Sequence, residues 1–114
     1  MRAAPLTACL ASLALAACAS SPLATAESRE RIRQLEAIAQ EGGENRVPFV
    51  IASLRSDDPL VRRQAQATLL ALTGTTNGFE WSAPEPSRDQ AIGSWIEWCR
   101  RRGLASPNEG SPHA

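Results

Sequence analysis

Val47-Pro48-Phe49-Val50-Ile51-Ala52-Ser53-Leu54-Arg55, followed by Ser56-Asp57-Asp58-Pro59 and then Leu60-Val61-Arg62 on to Thr73-Gly74, is the stretch that decides the fold. Val47, Val50, Ile51 and Leu54 recur at three- and four-residue steps, with Phe49 at the edge of the stripe, so the spacing predicts a helix over 45–55. Asn45 is the expected N-cap. Pro48 falls in the first turn, where its missing N–H is not needed. Ser56 to Pro59 is too short for anything but a tight reversal. Asp58 is placed to cap the next helix, and Pro59 pre-sets φ at its first residue. That helix is expected to run to Thr73, with Leu60, Val61, Ala65, Leu69 and Leu72 on one face and Gly74 as its stop. Two amphipathic helices so connected form an αα-hairpin.

The same reading extends in both directions. Upstream, Ile32, Leu35, Ile38 and Ala39 mark a helix over 28–41, with Ser28 as cap and Gly42-Gly43 as a left-handed stop. Glu27 with Arg31, and Glu36 with Gln40, stand at i,i+4. Downstream, 75–86 carries Asn77-Gly78, Phe79, Trp81, Pro84 and Pro86, and a connection of this kind is expected to lie on the core. Ser87-Arg88-Asp89-Gln90 spells a capping box for a helix over 87–102, lined by Ile92, Trp95, Ile96 and Cys99 with Trp98 adjacent. Gly103 stops it, and Leu104 suits the apolar partner of a Schellman cap. Residues 105–114 have no periodicity and read as a disordered tail. Each buried tryptophan removes about 150 to 250 Å² from water, on the order of 4 to 6 kcal/mol gross.

Val47-Pro48, Leu54, Asp58-Pro59, Val61-Arg62, Ala65, Leu69 and Leu72 together resemble one HEAT repeat, the two-helix unit of α-solenoid proteins. Leu72-Thr73-Gly74, Gly78-Phe79 and a capped helix with Trp95 and Trp98 are similar to the C-terminal end of bacterial HEAT-repeat-like proteins. The resemblance implies an all-α fold: a small α-α superhelix, or HEAT-like helical hairpin, occupying 28–104 with a capping helix on each side. One departure stands out. The resemblance implies an Asp six residues before Arg62, forming a polar ladder between repeats, and this chain has Ser56 there. No second copy of the motif is present, so the unit is expected to be a single closed repeat.

At the N-terminus, Met1-Arg2 precedes an apolar run from Ala3 to Ala17, interrupted only by Thr7 and Ser12, and too short to span a bilayer comfortably. It ends in Leu15-Ala16-Ala17-Cys18, a lipobox that resembles the processing site of bacterial lipoproteins. Leu6-Thr7-Ala8-Cys9 has similar chemistry but leaves too little apolar sequence before it, which favours Cys18. The resemblance implies a signal peptide over 1–17, acyl chains on Cys18 as membrane contact, and a tether over 18–27 reaching about 30 Å. Ala19 after the cysteine implies the outer membrane, periplasmic face, in a two-membrane envelope. An uncleaved anchor, or an apolar helix start with a chance cysteine, remains the alternative.

The remaining chemistry is sparse. Twelve basic side chains, all Arg, balance 12 acidic ones, so net charge gives no reason to expect nucleic acid. Without Cys9 and with Cys18 acylated, Cys99 has no disulfide partner and is expected to be a buried, inert thiol. His113 lies alone in the tail, and Asp57-Asp58 is explained at least in part by capping. No catalytic set, metal site, cofactor or small-molecule substrate is expected, and the chain does not read as an enzyme. Three features remain for binding. Arg100-Arg101-Arg102 either complements the helix dipole or meets anionic headgroups. Phe79 and Trp81 either pack on the core or anchor a protein partner. The sequence thus points to a membrane-anchored lipoprotein with a small helical interaction or scaffold module. The alternatives are a structural envelope spacer and an accessory subunit of an envelope enzyme complex.

Overall fold

A computed structural model describes residues 25–105, and all the regular structure in that range is helical. Helix α1 spans Ala26–Glu41, α2 Val47–Ser53, α3 Pro59–Thr73 and α4 Glu85–Arg101; a single 3-10 turn, Glu44–Arg46, leads into α2. The fold is small and all-α. Helices α2 and α3 form the hairpin, α1 packs on α3, and α4 packs on α2. The proposed signal and lipobox residues, Leu15 to Cys18, and the tail from Ser106 lie outside the described residues.

The hairpin forms where the spacing predicts it. Asp58 has extended φ/ψ and its Oδ1 accepts the Leu60 N–H at 2.9 Å, so the first turn of α3 is capped directly before Pro59. Gly74, in the left-handed region, closes the helix with its N–H on Leu70 O at 2.8 Å. Val47, Val50, Ile51 and Leu54 of the α2 segment meet Val61, Ala65 and Leu69 of α3, and all seven are buried. Leu60 and Leu72 are only partly buried, while Thr68, polar and so absent from the apolar stripe, is fully buried. Its hydroxyl donates to Leu35 O at 2.9 Å and accepts from Gln64 Nε2 at 3.3 Å, which removes the cost of burying it and joins α3 to α1.

Four local expectations need correction. Helix α1 begins two residues early, at Ala26, because the Thr25 hydroxyl accepts the Ser28 N–H at 3.1 Å; Ser28 is already inside the helix, and Thr25 to Glu27, expected to belong to a tether, form its cap and first turn. Asn45 does not cap α2. The 3-10 turn occupies its position, and α2 proper has no side-chain cap. Gly42 has φ +79 with ψ −173, a region open essentially to glycine alone, so it ends α1 without adopting the left-handed helical conformation. Ser87 does not cap α4 either. Pro84 O accepts both the Ser87 and Arg88 N–H groups at 3.0 Å, so the helix is under way from Glu85 and Pro86 sits in its first turn.

The far end of α4 follows expectation. Leu104 N–H reaches Cys99 O at 2.9 Å and Gly103 N–H reaches Arg100 O at 3.2 Å, the paired bonds of a Schellman motif, with Leu104 packed against the core. Trp95 is completely buried, its Nε1 donating to Thr76 O at 3.0 Å and its ring meeting Trp98 edge to face, centroids 5.4 Å apart. The edge-to-face contact adds about 0.5 to 1.5 kcal/mol beyond area burial.

Candidate functional site

The connection between α3 and α4 is pinned at both ends of its aromatic pair. Asn77 and Gly78 both have positive φ, and the Phe79 N–H closes the turn on Thr76 O at 3.0 Å. The reversal drives Phe79 inward: it is 2% exposed and belongs to the core, so it is not available to anchor a partner. Trp81 is only partly buried. Its N–H donates to Gln66 Oε1 at 2.8 Å, its carbonyl accepts from Arg62 Nε at 3.1 Å, and Arg63 stands 5.9 Å from the ring centroid. Of the two aromatic candidates, only Trp81 presents a face to solvent.

Arg62 is the residue the sequence reading undervalued. Besides Trp81 O, it donates through Nη1 to Ser56 O at 2.9 Å and Asp57 O at 3.3 Å. Arg62 thus ties backbone carbonyls of the hairpin turn to one of the following loop. Burial, and after it the charge of Arg88, lowers the Arg62 pKa, while Asp57 and Asp58 oppose the shift. Nothing in local spacing encodes this clamp, because Trp81 is nineteen residues away.

Two of the three arginines in the basic run have an acidic neighbour. Arg100 pairs with Glu97 one turn back. Arg102 lies 4.0 Å from Glu44 and covers the Trp98 ring, 4.0 Å from its centroid. Arg46 pairs with Glu41 at 3.5 Å. Arg101 is exposed and has no such acidic neighbour. These contacts place the end of α4 beside Glu41 and the 3-10 turn, at the opposite end of α1 from Thr25. A helix of α1's length is about 24 Å long. A tether leaving Thr25 and a headgroup contact at Arg100 to Arg102 therefore belong to opposite ends of the domain.

The start of α1 looks different. Two shallow adjoining clefts, about 350 Å³ and about 470 Å³, open where α1 passes the end of α2 and the α2–α3 turn. Glu27, Ser28 and Ser56 line both. Arg31 and Arg55 line the first, Asp57 and Asp58 the second. The i,i+4 pair expected between Glu27 and Arg31 is not made. Arg31 reaches across to α2 instead, its Nη1 donating to Ser53 Oγ at 3.4 Å and its guanidinium 5.0 Å from the centroid of Phe49, which is 40% exposed.

Cys99 is buried without exposure, and burial raises its thiol pKa. Among the described residues no three His, Cys, Asp or Glu side chains group in a way that could hold a metal ion, and no helix is long and apolar enough to cross a membrane. Comparison with protein-family models, with curated proteins and with solved structures gave no match.

Proposed function

We propose that this chain is a membrane-anchored lipoprotein carrying a small HEAT-like module for protein interaction or scaffolding. The observation that carries this reading is the packing order. One outer helix lies on α3 and the other on α2, an order compatible with one repeat flanked by half a repeat on each side. Such an arrangement leaves the outer flank of each hairpin helix available, as solenoid modules need for their partners. Arg62 supports the reading further, since it joins the turn and the loop from the position where the resemblance expects the ladder arginine. Trp81, backed by Gln66 and Arg63, is the side chain best placed to be a partner contact on the α3 flank.

The anchoring part rests on Leu15 to Cys18, and the short connection from Cys18 to Thr25 would hold the start of α1 near the lipid surface. Mass analysis of the mature N-terminus tests it: an acylated Cys18 is expected. An intact chain retaining Met1, recovered unacylated from the soluble fraction, would overturn it. Photo-crosslinking in cells from positions on both flanks tests the module. One recurrent protein adduct is expected; none at any position would leave the spacer reading in its place.

A further inference from the structure

We infer that the paired clefts at the start of α1 form one bipolar groove for an extended peptide of a partner protein, a peptide carrying an acidic side chain and, a few residues along, a basic one. The inference rests on the interaction-module reading and names the chemistry of its partner. Three observations carry it. The clefts share Glu27, Ser28 and Ser56, so they are continuous. Their charges differ, with Arg31 and Arg55 lining only the first cleft and Asp57 only the second, beside the buried capping carboxylate of Asp58, while Glu27 stands in the shared middle. The groove's charges are not spent on one another: no ion pair joins Arg31 or Arg55 to Glu27 or Asp57, whereas Arg33, Arg46, Arg100 and Arg102 each meet a glutamate.

The long 3.4 Å bond from Arg31 to Ser53 Oγ leaves that guanidinium donors for a carboxylate. Ser28 and Ser56 in the shared middle suit the N–H and C=O groups of an extended backbone. The chain's own preceding residues, Ala19 to Ala24, carry no charge and so do not complement the two ends. A partner segment does.

The test uses the full chain in detergent, titrated with acetyl-Glu-Ser-Ala-Lys-amide and followed by amide NMR shifts. Saturable shifts are expected at Ser53, Arg55 and Asp57, weakening as salt rises. The double variant Arg31→Gln/Arg55→Gln should bind about tenfold more weakly, as loss of two charge contacts predicts, with its melting temperature lowered only slightly by loss of the long Arg31–Ser53 bond. Equal binding by the uncharged analogue acetyl-Gln-Ser-Ala-Gln-amide would overturn the inference. So would the same shifts from inorganic phosphate alone, shifts appearing only with anionic lipid vesicles, or no shifts at all. Crosslinkers at Ala52 and Ser82 separate this failure from the larger one. An adduct at Ser82 but never at Ala52 sinks the groove and keeps the module, whereas no adduct at either sinks both.

Discussion

Helices α1 and α4 flank the same hairpin, yet they are held to it by different means. Helix α4 buries Ala91, Ile92, Trp95, Trp98 and Cys99, and its end is closed by a Schellman cap. Helix α1 buries only Leu35 and Ile38, both in its second half, and is tied across by Thr68 to Leu35 O and by Arg31 to Ser53. The difference follows from composition: α4 carries two tryptophans, and α1 carries none. One flank is therefore locked from Ala91 to its C-terminal cap, while its first turns, Glu85 to Gln90, stay largely exposed. The other is fixed in the middle and open at its start, where the bipolar groove lies. If that contrast is right, variants on the α4 side should cost most, and α1 should loosen from Ala26 inward.

The largest effect is expected at Trp95. Replacing it with Ala empties a fully buried site and strands Thr76 O, which should destabilise the domain by about 3 to 5 kcal/mol. Thermal unfolding by circular dichroism measures this, and Cys99 supplies a second readout. Burial raises the thiol pKa and shields the sulfur, so native protein should resist iodoacetamide, and Trp95→Ala should be labelled quickly. The linkage has a definite sign. Because the folded pKa lies above the unfolded one, this stabilisation is complete below the ordinary thiol range and fades as pH rises through it. A Trp95→Ala protein that melts like wild type would place the lock elsewhere.

Leu35→Ala comes next, at about 2 to 4 kcal/mol, since Leu35 is one of the two side chains α1 buries fully. Hydrogen exchange is the sharper measurement. Amides of α1 should lose protection before those of α4, and equal loss in both helices would erase the comparison. Thr68→Val is smaller, about 1 kcal/mol. It keeps the volume while removing the hydroxyl bond to Leu35 O, and its effect on exchange should again be confined to α1 and its neighbours.

These contrasts were unevenly legible in the sequence. Asp58-Pro59, Gly74 and Gly103-Leu104 each announce their role because a cap is a local event, settled by a few adjacent residues. Where two local signals compete, order along the chain misleads. Thr25 and Ser28 both suit a cap, and the apolar period begins only at Ile32, too late to choose between them. Pro84-Glu85-Pro86 likewise starts α4 ahead of the more familiar Ser87 to Gln90 box. The site was less legible still. Whether Phe79 or Trp81 faces solvent depends on the Asn77-Gly78 reversal and on contacts from Gln66 and Arg62, all settled by tertiary packing. The groove at the start of α1 depends on Arg31 crossing to α2, a contact between residues far apart in the chain, and not pairing with Glu27, which is all the i,i+4 spacing shows.

The smallest effect concerns the basic run, and it bears on how the domain is oriented. Arg102 makes a loose 4.0 Å pair with Glu44 and covers Trp98, whose exposure is 9%. An exposed pair contributes little and a partly solvated cation–π contact about 0.5 to 1 kcal/mol, so Arg102→Gln should cost under about 1 kcal/mol. Arg101→Gln should cost nothing measurable. If the run served headgroups instead, both substitutions would weaken binding to anionic vesicles alike, with a loss that grows as salt falls. If the chain is anchored through Cys18 as proposed, the connection enters at Thr25, at the other end of α1, and vesicle binding should be indifferent to both substitutions. A matched loss in the two variants would mean that α1 lies along the membrane, with the groove turned toward lipid and closed to a protein partner.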